Sequence, residues 1–240
     1  MFQFSRKKIV LDCFTESIDA AKYAPVDLAT KYIPEWWKKL PKENNENFFP
    51  TPTMKTCAGF IDYYRNSVVI PLWSELHILI NSDKTYKWQF SDGKSIAVAH
   101  PTQQMDGMLN SSKLAHLKLI SPWLFKTKQD IGWVWSYPSY SYDKPEQIIV
   151  MSGIVNYTKQ QGTDINILIN TNENIIKLPF GQPLVHITPL TEHRIIVRRH
   201  VVDEKEYKKL DSKYQPTFIN KYKNTLHAKT KFNKCPYKTS

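Results

Sequence analysis

The sequence predicts a mainly β protein, a β-sandwich or barrel with a few short helices at its periphery. Two observations lead to this prediction. Apolar and polar residues alternate in several segments, most clearly in Asp164–Asn170, where Ile165, Ile167 and Ile169 share one face. Gly, Pro and Asn bound these segments, as they commonly bound β-strands. The stretch Ile148–Leu190 contains three or four such segments, and we expect the rest of the chain to be organised around it.

The same patterns predict about ten strands along the chain, and alternation in the segment Ile131–Tyr137 puts Trp133 and Trp135 on one face. In order, the strand segments are Lys8–Phe14, Val68–Asn81, Tyr86–Phe90, Ser95–His100, Leu114–Phe125, Ile131–Tyr137, Ile148–Val155, Asp164–Asn170, Leu184–Leu190 and His193–Val202. Pro71 predicts an edge strand or a bulge, because proline lacks the N–H that a sheet ladder needs. Short helices are predicted at Glu16–Tyr23, Pro34–Leu40, Cys57–Tyr64 and Glu204–Tyr214.

The second of these helices carries two adjacent tryptophans, Trp36 and Trp37. Pro34 stands at the first helical position, and lysines follow at the far end, where they complement the helix dipole. A tryptophan pair of this size usually packs onto a sheet. We therefore expect the helix to cap the sheet with at least one indole buried, and a ligand platform is the alternative.

At 240 residues, the chain fits one mainly β domain over residues 1–214, with an N-terminal helical cap at about 15–64 and a basic tail at 215–240. The net charge is +11, and residues 205–240 contain ten lysines against two acidic residues. We expect the tail to pack along the domain or across a neighbouring subunit. Binding of nucleic acid through its lysines is the alternative.

The remaining sequence features indicate the cellular compartment in which we expect the protein. No apolar run approaches the roughly 20 residues that span a bilayer, and the N-terminus lacks the pattern of a signal peptide. The three cysteines, Cys13, Cys57 and Cys235, are few and far apart, which fits a reducing compartment. We expect an intracellular protein with no membrane partner.

Six groups of residues carry a resemblance that covers most of the chain. They are Ile33–Pro41, Cys57 with Gly59 and Asp62, Ile70–Trp73, Ser121–Trp123 with Lys126 and Thr127, Gly153–Val155, and Gly181–Leu184. These groups resemble an uncharacterised family of phage and bacterial proteins, many of them from tailed phages of marine bacteria. The resemblance implies a phage-type protein located in the cytoplasm of a host cell or in the virion, and it names no activity.

A second resemblance covers only the organising stretch. Gly153–Tyr157, Gly162 and Pro183–Ile187 resemble the β-clip core of dUTPases and dCTP deaminases, which implies a β-clip-like barrel. In those enzymes an aspartate after Gly-x-Val activates water, and Asn156 stands at the matching position. An amide cannot act as a general base, so we expect no turnover of dUTP or dCTP.

The candidate binding residues lie in the same stretch and next to it. Ligand-binding candidates are Asn156, Tyr157, Trp133, Trp135, Arg194 and Arg198. Aromatic rings that reach the surface beside a cation can stack on a base or a sugar, whereas filling of the core is the favoured alternative for the tryptophans. His186, His193 and His200 recur every seven residues and are candidates for a metal site, with ordinary structural histidines as the default.

No complete catalytic set is present in the sequence, and we expect no cofactor. We therefore interpret the chain as a non-catalytic phage-type binding or assembly protein. It would be a homo-oligomer or bind another phage or host protein. The alternative is a small-molecule enzyme on a β-clip or cupin-like barrel. Such an enzyme would act as a nucleotide hydrolase or deaminase, or as an iron-dependent oxygenase.

Overall fold

The structure, a computed structural model, describes residues 7–44, 49–83, 85–105, 107–108, 113–141, 147–172 and 174–212. The basic tail predicted at 215–240 lies outside the described residues. Its packing and its contact with nucleic acid therefore stay predictions.

The described residues form seventeen strands, four α-helices and three short 3₁₀ turns. The strands are β1 (Lys8–Thr15), β2 (Asp27–Leu28), β3 (Glu43–Asn44), β4 (Thr51–Pro52), β5 (Val68–Pro71), β6 (Leu76–Ile80), β7 (Tyr86–Phe90), β8 (Ala97–His100), β9 (Leu114–Leu119), β10 (Leu124–Lys126), β11 (Trp133–Ser136), β12 (Ile148–Val150), β13 (Gly153–Val155), β14 (Ile165–Asn170), β15 (Ile175–Leu178), β16 (Pro183–Pro189) and β17 (Arg194–Val201). The helices are α1 (Ile18–Tyr23), α2 (Glu35–Lys39), α3 (Ala58–Arg65) and α4 (Glu204–Ser212), and the 3₁₀ turns are Ala29–Tyr32, Met54–Thr56 and Thr102–Met105. The prediction of a mainly β fold with short helices is confirmed.

The described strands assemble into four main sheets and one small two-stranded sheet. We call the five-stranded sheet, with the order β13-β11-β16-β5-β2, the central sheet. The others have the orders β12-β14-β9-β8, β15-β6-β7 and β10-β1-β17, and β3 pairs with β4. Among the described strands, only β1 and β17 pair in parallel, in register from Lys8 opposite Arg194 to Thr15 opposite Val201. The first strand of the domain is therefore fixed to the last.

The main core lies between the sheets and contains the largest aromatic side chains. Trp123, Trp133, Phe125 and Tyr157 are fully buried. Trp133 and Trp135 lie on one face of β11, as the alternation predicted, and both are buried. The indole Nε1 of Trp135 donates a hydrogen bond to the Tyr157 hydroxyl at 2.7 Å, which satisfies a polar group that burial would otherwise leave unpaired.

Three predicted strand segments are each divided between two sheets. The segment 68–81 forms β5 in the central sheet and β6 in another, and 148–155 forms β13 in the central sheet and β12 in another. The segment 114–125 forms β9 in one sheet and the start of β10 in the sheet of β1. Pro71 ends β5 opposite Pro183, beside a register shift, so the predicted bulge is present although β5 is an interior strand. Alternation cannot show where a chain leaves one sheet for the next. Four short strands, β2, β3, β4 and β15, were not predicted.

The helices lie outside the sheets. The hydroxyl of Ser17 accepts a hydrogen bond from the backbone N–H of Ala20 and so caps the start of α1. Phe60 and Tyr64 of α3 pack on Val69, on the face of the central sheet that points away from the main core. In the part of the chain that the structure describes, no helix is long and apolar enough to cross a membrane.

Candidate functional site

The site begins at β16, a strand that is covered on both faces. Four consecutive residues, Leu184 to Ile187, are buried. Val185 and Ile187 belong to the main core, whereas His186 lies on the opposite face beside Val69 of β5. The sequence of a strand that is buried on both faces is normally a continuous run of apolar residues. His186 is the polar residue within this buried run.

His186 packs against the aromatic rings of α3. The Tyr63 ring stacks on the imidazole with 4.0 Å between ring centroids and 14° between planes, and the Tyr64 ring meets it edge-on at 5.2 Å. Neither ring nitrogen of His186 has a hydrogen-bond partner among the described residues. Burial lowers the pKa of His186 to about 4, so the imidazole is neutral at pH 7.

Phe60 extends this packing from α3 to the surface. Its ring contacts four other aromatic rings: Trp36 at 5.7 Å, Trp37 at 5.2 Å, Tyr64 at 4.9 Å and Tyr140 at 4.9 Å between centroids. Together, Trp36, Trp37, Phe60 and Tyr140 form what we call the aromatic cap surface. Phe60 and the tyrosines of α3 lie between this solvent-exposed patch and the buried imidazole of His186.

Two side chains of the aromatic cap surface are open to solvent. Trp36 is 44% exposed and Tyr140 is 41% exposed. The Trp36 Nε1 group donates to the backbone oxygen of Tyr140 at 3.1 Å, and the Trp37 Nε1 group donates to the oxygen of Met54 at 3.1 Å. Both indoles are thus held in place by their polar edges while part of their aromatic surface faces outward.

The expectation that one of these indoles is buried is wrong. The five-residue helix α2 contains no buried residue, and Trp37 is only partly buried. The reason is that α2 rests on Phe60 of α3 and not on a sheet, so another layer of side chains already occupies the sheet face. The ligand platform that was the alternative is therefore compatible with the geometry.

One lysine contacts the aromatic cap surface, and two more lie on α2. The Nζ of Lys55 lies 4.3 Å from the centre of the Trp37 ring and donates to the backbone oxygens of Trp37 and Lys38. Lys38 pairs with Glu35 at 2.5 Å, and Lys39 is exposed at the end of α2. The positive charge beside exposed rings favours a ligand that is both planar and anionic.

The structure places three predicted binding residues in the core. Trp133, Trp135 and Tyr157 are buried, so their rings do not form part of an exposed stacking surface. Burial raises the pKa of Tyr157 well above its usual value, although the hydrogen bond from Trp135 opposes this. The contacts among these three residues are part of the packing of the main core.

Asn156 closes a surface turn. Its Oδ1 accepts hydrogen bonds from the backbone N–H of Thr158 at 3.0 Å and from the Thr158 hydroxyl at 2.7 Å, while its Nδ2 donates to Asp130 at 2.5 Å. The hydrogen bond from Asn156, followed by the charge of Lys159, lowers the pKa of Asp130. The amide thus stabilises a turn and a charged neighbour.

Arg194 and Arg198 are exposed on β17. The adjacent Arg199 forms an ion pair with Asp27 at 2.7 Å, and Lys31 also pairs with Asp27, at 2.6 Å. Burial opposes the ionisation of Asp27, but hydrogen bonds from Lys31 and the Leu28 N–H and the charge of Arg199 outweigh it and lower the pKa. The sequence could not distinguish Arg199 from its neighbours, because the partner lies 172 residues away.

The three histidines proposed as metal ligands do not meet. His186 lies under α3, His193 precedes β17, and His200 pairs with Asp12 at 2.8 Å and stacks on Phe14. Within the described residues, no group of three or more His, Cys, Asp or Glu side chains could hold a metal ion. The seven-residue spacing crosses a turn and a change of sheet, so it does not keep the side chains on one face.

One pair of neighbouring histidines was not predicted from the sequence. His100 of β8 and His116 of β9 face each other across two antiparallel strands. Only the register between the strands reveals this pair, because nothing in the local sequence around either histidine indicates the other.

No protein-family model and no curated protein matches this chain. The resemblances to a phage family and to the β-clip core therefore stay predictions. The assignment of function rests on the residues and their geometry.

The neutral state of His186 predicts how stability changes with pH. Its pKa is about 4 in the folded protein and about 6.5 in an unfolded chain, so the unfolded state binds the proton first as the pH falls. This contribution to stability is fully present above about pH 6.5 and is lost towards pH 4. The His186→Phe variant keeps an aromatic ring. Between pH 7 and pH 4.5, its free energy of unfolding should fall by about 2.5 kcal/mol less than that of the wild type, as measured by urea unfolding.

His77→Ala is the matched control, since His77 is half-exposed and pairs with Glu75. Its pH dependence should follow the wild type much more closely than that of His186→Phe. If His186→Phe and the wild type lost the same free energy of unfolding, His186 would not be the neutral group that the structure indicates.

Proposed function

We propose that this chain is a non-catalytic binding protein of the phage type, and that its aromatic cap surface binds single-stranded nucleic acid by stacking on the bases. The observation that carries the proposal is the exposed Trp36–Tyr140 pair, fixed in place beside lysines. Stacking of a base on an aromatic side chain tolerates any sequence and contributes about 1–3 kcal/mol per base.

The fixed position of Trp36 supports this function. Its indole N–H bonds to the Tyr140 backbone, and its ring edge packs on Phe60. A ring that is already ordered loses little conformational entropy when a ligand binds, and this raises affinity. Tyr63 stacks on His186 beneath the aromatic cap surface, and this stacked pair gives the surface a rigid base.

Charge favours nucleic acid over a neutral sugar. Both ligands can stack on an exposed indole, but only nucleic acid carries phosphates. Lys55 lies over the Trp37 ring, Lys39 is exposed at the end of α2, and the chain as a whole has a net charge of +11. Phosphate contacts by lysines release counterions and make binding depend on salt.

The predicted family resemblance supports the same surface. The group Ile33–Pro41 includes both Trp36 and Trp37, so one of the motifs that resembles the phage family also supplies the exposed indole. A phage protein of this kind would act in the cytoplasm of a host cell or in the virion.

The apolar surface at the edge of the central sheet supports the proposal of a homo-oligomer. Ile154 of the edge strand β13 is 67% exposed and Leu190 is 59% exposed. A Cβ built at Gly132 would lie 2.9 Å from Ile154 and 3.0 Å from Leu190, so the two side chains lie close together over this glycine. A patch at an unpaired strand edge is suited to pairing with a second copy.

Removal of the Trp36 ring should weaken binding. The Trp36→Ala variant should bind a fluorescent single-stranded oligonucleotide roughly 5- to 150-fold less tightly than the wild type, the range that corresponds to the loss of one stacked base. Fluorescence anisotropy at low salt measures this ratio. Tyr23→Ala is the matched control, because Tyr23 is also an exposed aromatic residue under a lysine, 56% exposed with Lys22 at 4.8 Å.

Tyr23→Ala should bind like the wild type. Equal affinity of Trp36→Ala and the wild type would contradict the proposal and direct the search to the basic tail. Binding of neutral oligosaccharide in place of the oligonucleotide would contradict the choice of ligand.

Disruption of the Ile154 patch should change the mass of the particle in solution. A charged side chain in the Ile154→Lys variant would be desolvated in an interface, so the variant should shift from oligomer to monomer in multi-angle light scattering. Leu79→Lys is the control, because Leu79 is 51% exposed on a different sheet. A wild type that is already monomeric would contradict the proposal.

A further inference from the structure

The sheet β10-β1-β17 has one face in the main core and one face that points away from it. Ile9, Leu11 and Cys13 of the middle strand β1 are buried in the main core, so the alternate residues of β1 lie on the outer face. Four exposed cations share this outer face, which we call the basic face: Lys8, Lys126, Arg194 and Arg198. Asp12 is the one acidic residue in the three strands, so the basic face has a net positive charge.

The one carboxylate of the basic face already has a partner. Asp12 pairs with His200 at 2.8 Å. Among the described residues, none of the four cations forms an ion pair. Arg199 differs from them, because it lies on the opposite face of β17 and pairs with Asp27 at 2.7 Å. The cations of the basic face repel one another, and an anionic ligand would relieve this repulsion.

The spacing of the cations favours a ligand with several negative groups. Lys8 lies opposite Arg194. Four residues further along the strands, Asp12 lies between Lys126 and Arg198. Four residues of a parallel strand span about 13 Å, which exceeds the Debye length of about 8 Å at physiological ionic strength. A single small anion at one level would therefore leave the other level largely unneutralised.

We infer that the basic face binds the phosphate backbone of single-stranded nucleic acid. The inference rests on the proposed function, since it takes the same polymer as the ligand and assigns the residues that contact its phosphates. Two of the four cations, Arg194 and Arg198, are arginines, and the planar guanidinium group matches phosphate geometry with paired hydrogen bonds. Both arginines lie on a strand that is paired along its whole length with β1, so their backbone positions are fixed before a ligand binds.

The centre of the basic face disfavours a membrane or a protein as the partner. Val10 and Ile196 lie between the two levels of cations, and both are partly buried. Attachment to a membrane surface uses exposed apolar side chains that enter the headgroup region. The centre of a protein interface is apolar and depleted of charged residues. A flat sheet with cations on both sides of a half-buried centre suits a regular polyanion better than either.

The salt dependence of oligonucleotide binding by the full chain tests the inference. Each lost phosphate contact should reduce the log–log slope of affinity against salt concentration by about 0.7 for a single strand. The slope for the double variant Arg194→Gln with Arg198→Gln should therefore be smaller in magnitude than that of the wild type by about 1.4, as measured by fluorescence anisotropy. The matched control is Lys87→Gln with Lys177→Gln, which removes the same charge from exposed positions on β7 and β15 and should keep the wild-type slope.

Two further variants make the result decisive. Lys8→Gln with Lys126→Gln removes the other two cations of the basic face and should reduce the slope in the same way, so the test does not depend on the folding of one variant. Trp36→Ala removes a stacking ring but no charge, so it should lower the affinity and leave the slope unchanged.

The outcomes separate this inference from the proposed function. Wild-type slopes in both variants of the basic face would overturn the inference, whereas weaker binding by Trp36→Ala would still support stacking on the aromatic cap surface. Reduced slopes with an unchanged affinity of Trp36→Ala would support the basic face and contradict stacking. Displacement of the oligonucleotide by poly-glutamate at an equal concentration of charge would overturn the choice of phosphate as the ligand group.

Discussion

The arrangement of the molecule depends on burial of β16 on both of its faces. Its backbone is paired on one side with β5 and on the other with β11, so the strand cannot shift without breaking two ladders. Val185 and Ile187 contribute to the main core, and His186 faces the helices. His186 can occupy this place only in its neutral form, because an unpaired buried charge would destabilise the fold by several kcal/mol. The aromatic rings of α3 exclude water from His186 and thereby keep it neutral.

This constraint positions the proposed binding surface. Tyr63 stacks on His186, Phe60 lies one turn of the helix away on the same face, and Trp36 packs on Phe60. Each contact is between rigid planar groups, so the position of the surface indole follows from the position of a core strand. The helical cap thus has its own small hydrophobic cluster, which includes Val69 from the central sheet.

The sequence predicted those features that depend on neighbours along the chain. Alternation placed Trp133 and Trp135 on one face of a strand, and turn residues gave the limits of most strands. Features that depend on distant partners were missed or misjudged. The parallel pairing of β1 with β17 joins residues more than 180 positions apart, as in the contact of His200 with Asp12. Register between such strands is set by tertiary packing, which one sequence does not display.

In the candidate site, too, some features were predicted from the sequence and others were missed. The tryptophan pair was recognised as notable, but its burial was misjudged because a short helix does not reveal which layer it rests on. The pairing of His100 with His116 required the register of β8 and β9, and the ion pair of Arg199 required a partner from another sheet. In each case the residue type was visible, and the neighbour that defines its role was not.

A double-mutant cycle between Tyr63 and His186 tests most directly whether the stack holds the cap on the central sheet. The free energy of unfolding at pH 7 would be measured for the wild type, Tyr63→Leu, His186→Leu and the double variant. The rings lie 4.0 Å apart, so we expect a coupling of about 0.5–1.5 kcal/mol, the range for aromatic pairs. A coupling indistinguishable from zero would contradict the account, since the two residues would then act independently and the cap would be held by other contacts.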